Sequence, residues 1–264
     1  MADRGTIRAG IGGWTFEPWR GVFYPDGLKQ AEELAYASRH VTAIEINSTY
    51  YSTQKPESFA KWAAAAPDGF RFAVKASRFC TNRRELAGVG EGIEKFIGQG
   101  LTELGDKLGP ILWQLMATKK FDAADIEGFF KLLPAERDGV ALKHVIEPRH
   151  ESFMTPEFVA LCRRYGVGIV LAEHGAYPMI ADVTSDIVYA RLQVGSDECD
   201  TCYPPEQLDR WAERFKVFAE GGMPADLPVI SGAAPKKPRD VYVFFIHEGK
   251  VRAPHGAMAL LERL

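Results

Sequence analysis

Residues 43–51 read Ala-Ile-Glu-Ile-Asn-Ser-Thr-Tyr-Tyr, and apolar and polar side chains alternate from Ile44 to Asn47. Successive side chains of a strand point to opposite faces, so Ile44 and Ile46 share one face while Glu45 and Asn47 share the other. The isoleucines suit a face that is covered by helices. We therefore predict a strand over Ala43–Tyr51 whose polar face, with Glu45 and Asn47, points into a closed barrel.

Seven other stretches have strand character, because most of them are short, rich in Val, Ile and Phe, and end in polar residues. They are Ile7–Trp14, Arg71–Ser77, Pro110–Met116, Ala141–His150, Gly166–His174, Ile187–Gln193 and Asp240–His247. Helical patterns lie between most of them, at Leu28–His40, Pro56–Ala66, Gly92–Leu108, Ala123–Leu133, Pro156–Tyr165, Pro205–Glu220 and, at the end, Ala257–Leu264. This repeated alternation of strand and helix predicts parallel β-α-β units.

Eight such units in a chain of 264 residues favour a (β/α)8 barrel of the TIM-barrel type, and we expect residues 1–264 to form a single domain. Few residues separate the sixth and seventh predicted strands, so the helix between them is expected to be reduced or missing. The stretch Gly221–Pro238 is rich in Pro and Gly and precedes the last strand. We expect it on the N-terminal face of the barrel, away from any chemistry.

The composition is that of an ordinary globular protein, with 46% hydrophobic and 25% charged residues. The formal net charge of −3 does not indicate general attraction to nucleic acid, although a local basic patch would still permit binding. No apolar stretch is as long as a membrane helix and no signal-peptide pattern is present, so we expect a cytoplasmic protein without a membrane partner. Cys199 and Cys202 have no second Cys/His pair at a zinc-site spacing, and we expect both to be reduced and metal-free.

Polar residues stand at the inward-facing positions near the ends of most predicted strands, where barrels of this type place their active sites. Glu45, Lys75 and Glu147 are the candidate catalytic residues, with a glutamate as base and Lys75 as an electrostatic helper. The candidate ligand-binding residues are Trp14, Asn47, Arg78, Arg83, Gln114, Arg149 and Arg191. The alternative is that these glutamates and arginines form structural ion pairs.

Two loops extend this predicted site. Trp14 follows the first strand and offers a flat apolar surface, unless it only packs the loop. Arg78 and Arg83 follow the third strand among hydroxyl and amide neighbours, which is typical of a phosphate-binding patch and also of a solvated loop. A small anionic or phosphate-bearing ligand is the expected partner, with Arg149 and Arg191 as its principal anchors.

At these residues the sequence resembles the YecE-like family, a bacterial TIM-barrel group known as domain of unknown function 72. The matching segments are Gly12–Trp14 with Trp19–Tyr24, Glu45–Tyr51, Phe72–Lys75, Gln114–Leu115, Glu147–His150 and Tyr189–Leu192. The block Glu45–Tyr51 is the most specific of them. The family often has other residues where this chain has Met116-Ala117, Glu173-His174 and Ile246-His247. The resemblance implies a barrel over nearly the whole chain, but the family has no settled activity to transfer.

Three functions remain open at this point. A likeness of the family to endonuclease-IV-type barrels suggests metal-assisted phosphoester or phosphodiester hydrolysis, with a divalent metal ion as cofactor on Glu147, Glu173 and His247. Six histidines are few for a three-zinc cluster, so one or two hard metal ions fit better. The second function is proton transfer on a sugar or sugar phosphate, as in an isomerase. The third is a barrel that binds a ligand or partner without catalysis.

Overall fold

The computed structural model describes residues 4–232 and 234–264. In this part of the chain, eight parallel strands close into a barrel, and the last strand pairs with the first. The strands are β1 (Ile7–Gly12), β2 (Ala43–Ile46), β3 (Arg71–Lys75), β4 (Leu108–Gln114), β5 (His144–Glu147), β6 (Gly168–Glu173), β7 (Ile187–Val194) and β8 (Asp240–Glu248). Their order around the barrel follows their order along the chain, which confirms the predicted TIM-barrel architecture.

Helices surround the barrel. They are α1 (Glu33–His40), α2 (Ser48–Tyr51), α3 (Pro56–Ala65), α4 (Arg78–Thr81), α5 (Gly90–Ile97), α6 (Ala123–Lys131), α7 (Pro156–Tyr165), α8 (Pro205–Ala219) and α9 (Ala253–Leu261). Local sequence explains the ends of α7: the Thr155 hydroxyl accepts the Phe158 backbone N–H at 3.3 Å, and Gly166 ends the helix at a φ of 65°. None of the helices in the described residues combines the length and apolar character that a membrane crossing needs.

Several element boundaries differ from the predictions. The second strand ends at Ile46, and the following Ser48–Tyr51 forms a helical turn instead of continuing the strand. The predicted helix Gly92–Leu108 divides into α5 and a 3-10 segment, Leu101–Lys107, because Gly100 adopts a φ of 112° between them. The last helix begins earlier than predicted, with Pro254 in its first turn.

The connection between β6 and β7 contains no helix in the described chain, as predicted. It is held instead by the loop that precedes β8. The Asp182 carboxylate accepts the backbone N–H groups of Ile230 and Ser231 at 2.6 and 2.8 Å, and the backbone N–H of Ala181 donates to Pro228. This Pro- and Gly-rich loop therefore lies at the N-terminal end of the barrel.

Two apolar layers support the barrel. Ile44 and Ile46 are fully buried in the outer layer, between strands and helices, which confirms the predicted orientation of β2. The inner layer fills the barrel axis and consists of Ala43, Ala73, Leu112, Val145, Val170, Ala172, Ile187, Tyr189, Tyr242, Phe244 and Ile246. These side chains fill the barrel axis, and the C-terminal mouth is where barrels of this type bind their ligands.

Candidate functional site

Arg191, on β7, lies between two carboxylates at the top of the barrel interior. Its Nε and Nη2 donate to Glu45 at 3.1 and 3.0 Å, and its Nη1 donates to Glu147 at 2.5 Å. The Tyr189 hydroxyl also donates to Glu45, at 2.7 Å. Glu45 and Glu147 are fully buried and Arg191 nearly so. Buried charges of this kind are tolerated only when they are paired and hydrogen-bonded, and here each carboxylate has an arginine partner.

Glu147 has two further partners on the same side of the barrel. Arg149 Nε donates to it at 2.6 Å and Gln114 Nε2 at 3.2 Å. Burial raises the pKa of Glu147, but the charges of Arg191 and Arg149 outweigh burial and lower the pKa to about 2. Glu147 is therefore a charged hydrogen-bond acceptor at neutral pH, and its oxygens are committed to arginine and glutamine.

Lys75, at the end of β3, has a different environment. Across residues 4–232 and 234–264, no carboxylate oxygen lies within 4.0 Å of its Nζ. Its ammonium lies over the ring of Tyr50, 4.4 Å from the ring centroid. Burial and the nearby charge of Arg191 lower the pKa of Lys75 to about 8, against the smaller opposing effects of Glu45 and Glu147. With a pKa of about 8, Lys75 thus differs from Glu147 in being close to a proton transition at neutral pH.

These residues face a cavity of about 450 Å³ at the mouth, which we call the charged cavity. Its wall includes Asn47, Lys75, Gln114, Arg149, Arg191, His247 and Lys250. His247 adopts a φ of 73° at an irregularity in the pairing of β8 with β7. Such a bulge turns a side chain away from the regular strand direction, and left-handed backbone at a non-glycine residue often marks a functional region.

A second cavity of about 430 Å³ adjoins the first, and we call it the aromatic cavity. Trp14, Phe16, Tyr51 and Trp62 line it, and the Trp14 and Trp62 rings meet edge to face at 5.2 Å between centroids. The two cavities share Gly12, Asn47, Tyr51 and Lys250. The mouth therefore offers a flat apolar surface beside a cationic one.

Arg78 and Arg83, the predicted ligand-binding arginines that follow β3, do not line the charged cavity. Arg83 lines a separate pocket with residues that include Ser77 and Gln99, and its Nε donates to the Phe79 backbone oxygen at 3.0 Å. The Arg78 guanidinium lies near the Phe79 ring instead. The reason is that Arg78–Thr81 coils into α4, so Arg78 on this helical turn and Arg83 just after it lie away from the charged cavity.

The three candidate metal ligands do not meet either. Glu173 is the last residue of β6, and strand alternation points it outward, where it accepts hydrogen bonds from Tyr203 (2.6 Å) and Trp211 (3.2 Å). Burial raises the pKa of Glu173. Glu147 is held by arginine, and His247 lies at the rim beside Glu248. Within the described residues, no group of three or more His, Cys, Asp or Glu side chains is arranged to hold a metal ion.

Sequence reasoning missed several residues of the mouth. Tyr189 lies two positions before Arg191, so strand alternation alone could have placed it inside the barrel. Tyr50 and Lys250 had no comparable signal, because one follows β2 in a helical turn and the other follows β8 in a loop. Arg149 also packs over the ring of Tyr177, 4.5 Å from its centroid, and this contact comes from a loop without a sequence pattern.

Residues 8–264 match the family model described as protein of unknown function DUF72. The chain belongs to this family. The resemblance carried by Glu45–Tyr51 is thereby confirmed. The family description itself includes no activity.

Solved structures of family members have the same fold. A DUF72 family protein from Thermotoga maritima MSB8 superposes with a TM-score of 0.71 at 22% identity, covering 97% of each chain. A DUF72 family protein from Enterococcus faecalis V583 gives 0.70 at 19% identity, covering 98% of this chain and 95% of that one. Similarity at this identity shows the fold alone.

Among curated proteins, the chain is similar to protein YecE of Escherichia coli (strain K12). The two are 27% identical over 150 residues, which is 56% of this chain and 50% of YecE. The matched stretch thus spans about half the length of that relative.

Proposed function

We propose that the charged cavity binds a small anion that carries a phosphate or carboxylate group. The observation that carries this proposal is a surplus of positive charge. Lys75, Arg149, Arg191 and Lys250 line the cavity, whereas two carboxylates, Glu45 and Glu147, lie among them. Four cations against two carboxylates leave two positive charges for a ligand to neutralise.

The cations differ in what they can offer a ligand. Arg191 is largely committed, because three of its nitrogens bind Glu45 and Glu147. Arg149 uses Nε for Glu147, and its Nη1 donates to the Tyr177 hydroxyl at 3.5 Å, so among the residues described neither terminal nitrogen is hydrogen-bonded to a carboxylate. Guanidinium groups of this kind match the geometry of phosphate and carboxylate. Arg149 and Lys75 are thus the main anion contacts, and Arg191 positions the cluster.

Metal-assisted hydrolysis has less support. The residues proposed for it do not fit a divalent ion, because Glu147 accepts from Arg149, Arg191 and Gln114, and Glu173 faces the helices. A hard metal ion prefers carboxylate oxygens that are not already neutralised. The proposal therefore contains no metal.

Proton transfer with Glu45 or Glu147 as the base also has less support than anion binding. The charges of Arg191 and Arg149 lower the pKa of Glu147, and Glu45 accepts hydrogen bonds from Arg191 and Tyr189, so the oxygens of both carboxylates are already in use as acceptors. The pKa of Lys75, about 8, would suit proton exchange near neutral pH. Binding without catalysis requires nothing beyond the charges already described.

Calorimetric titration tests the proposal. We would titrate the protein with inorganic phosphate, glycerol 3-phosphate, lactate and a short single-stranded oligonucleotide, and repeat each titration with Lys75→Met and Arg149→Met. Loss of one desolvated cation is expected to weaken a bound anion by about 2 kcal/mol or more, roughly thirtyfold.

The matched control is Lys131→Met, which removes an equal charge from an exposed surface pair with Glu127. It should leave anion affinity unchanged, because exposed pairs contribute little. No heat with any of these anions, or equal affinity in Lys75→Met, Arg149→Met and wild type, would contradict the proposal.

A further inference from the structure

Lys75 is an amine without a carboxylate partner. It lies beside a cluster of paired charges that consists of Glu45, Glu147, Arg149 and Arg191. Glu45 and Glu147 bind Arg191, and Glu147 also binds Arg149. The described residues place no carboxylate within 4.0 Å of Lys75 Nζ. A lysine with a purely structural role would be expected to pair with Glu45 or Glu147. Because arginines occupy both carboxylates instead, the Lys75 amine is available for a ligand.

The surroundings of the amine disfavour its charged form from several sides. Arg191 of β7 and Arg149, which follows β5, are like charges, and Glu45 of β2 and Glu147 of β5 oppose them only in part. The ring of Tyr50 of α2 packs against the ammonium and, like the two glutamates, opposes this effect. Lysines that are desolvated beside another cation are the ones that act as nucleophiles.

The charged cavity also supplies the means to hold an electrophile against this amine. Arg149, Gln114 and Lys250 line the same space as Lys75. A ligand that carries one anionic group would be held by these donors, and its other end would lie within the small remaining volume beside Lys75. A carbonyl group at that end is the functional group with which an amine reacts readily.

We propose that Lys75 forms an imine with the carbonyl carbon of a small aldehyde or ketone that carries a carboxylate or a phosphate. This inference rests on the anion binding proposed above. The neutral Nζ attacks the carbonyl carbon, a C–N bond forms, and the C=O π pair moves to oxygen, which takes up a proton. The nitrogen then loses its two protons to solvent and the hydroxyl oxygen takes up a second proton from solvent. The nitrogen lone pair forms the C=N bond as the C–O bond breaks, and the oxygen leaves as water. Amine and carbonyl compound give imine and water, without any oxidant or reductant.

Reductive trapping with cyanoborohydride, followed by peptide mass mapping, tests this step. The probes are two pairs: pyruvate with lactate for a carboxylate, and dihydroxyacetone phosphate with glycerol 3-phosphate for a phosphate. Each pair shares its anionic group, but the second member has no carbonyl. We expect the reduced adduct on Lys75 with pyruvate, dihydroxyacetone phosphate or both, which also tells which anion is preferred. We expect none with lactate or glycerol 3-phosphate.

Rates of modification separate a specific imine from general lysine chemistry. Lys75 should be modified at least about tenfold faster than the exposed Lys131 near neutral pH, and inorganic phosphate should slow Lys75 alone. Lys75→Arg should show no adduct at this position, whereas the exposed Lys131 of the same variant should be modified as slowly as in wild type. Lys131→Met should be trapped like wild type.

Two negative results have different meanings. Anion binding by calorimetry without an adduct on Lys75, or with Lys75 and Lys131 modified at equal rates, would overturn the imine and leave the binding proposal intact. Absence of anion binding would overturn the proposed function, and the imine with it.

Discussion

Arg191 joins two carboxylates from distant parts of the chain, and this pairing explains how three buried charges coexist at the barrel axis. Glu45 and Arg191 are 146 residues apart in sequence, and Glu147 and Arg191 are 44 apart. Removing one member of a buried charged cluster leaves its partner uncompensated, which typically costs about 3–5 kcal/mol. The cluster therefore behaves as one unit for stability.

Glu147→Gln tests this unit through pH. At neutral pH we expect the variant to lose about 3–5 kcal/mol of unfolding free energy, because Arg191 and Arg149 lose a shared anion. The pKa of Glu147 is lowered from its ordinary value of 4.5 to about 2. Its contribution to the unfolding free energy is therefore fully present above pH 4.5 and is lost as pH falls towards 2. The difference in unfolding free energy between wild type and variant should thus decrease by about 3 kcal/mol as pH falls over that range.

Urea unfolding at several pH values measures this gap. Glu213→Gln is the control, because Glu213 is an exposed carboxylate that pairs with Lys216 on one helix. Its effect should be small and nearly constant with pH. Wild-type and Glu147→Gln stabilities that fall in parallel would contradict the prediction.

Lys75→Met should stabilise the protein at neutral pH, by about 1–2 kcal/mol after the loss of the contact with Tyr50 is included. The pKa of Lys75 is lowered from 10.5 to about 8 in the folded state, so between these values the unfolded chain binds more protons. Stability of the wild type therefore rises with pH across that window, and the advantage of the variant should shrink there. Unfolding measured at neutral and alkaline pH, with Lys131→Met as the control, checks this. An advantage that does not depend on pH would show that the charge of Lys75 is not the cause.

At the level of single residues, the sequence predicts which side chains point into the barrel, but not which cation binds which carboxylate. Alternation placed Glu45, Lys75, Glu147 and Arg191 inside the barrel, because side-chain direction in a strand is a local property. Which cation binds which carboxylate depends on strand register and tilt around the whole barrel, and neither is a local property. Lys75 was therefore expected to assist a glutamate base, whereas in the structure both glutamates form ion pairs with arginine.

At the level of the elements, the pairing of β1 with β2 depends on a close approach of their backbones at Gly10. A Cβ added to Gly10 would lie 1.7 Å from the backbone oxygen of Ala43 on β2. We expect Gly10→Ala to separate the two strands and to cost at least about 3 kcal/mol, at the upper end of overpacking effects, or to prevent soluble expression. Gly88→Ala is the control, because no atom lies within 4 Å of the added Cβ there. Equal unfolding free energies for the two variants would contradict this.

Element type was easier to predict than element boundaries. The strands were recognised because apolar runs buried on both faces are distinctive, and the barrel followed from their number. Residues 48–51 and 78–81 were read as strand and loop, yet both coil into short helices. These turns consist of residues without a strong local preference, and their shape is set by packing against the barrel. The second of them moved Arg78 and Arg83 out of the predicted site.

For the whole molecule, a net charge of −3 coexists with a cationic mouth. We infer that one anionic group enters the charged cavity of about 450 Å³ and that the remaining surface adds little attraction for a polyanion. Affinity for glycerol 3-phosphate should therefore fall only a few-fold between about 50 and 200 mM salt, whereas a protein that makes many DNA phosphate contacts loses about 10³-fold or more. A single-stranded oligonucleotide should bind no more tightly than a mononucleotide. Titrations of both ligands across this salt range measure the two slopes. An oligonucleotide affinity that exceeds that of the mononucleotide and falls steeply with salt would mean that several phosphates contact the protein, and that the ligand of this barrel is a nucleic acid.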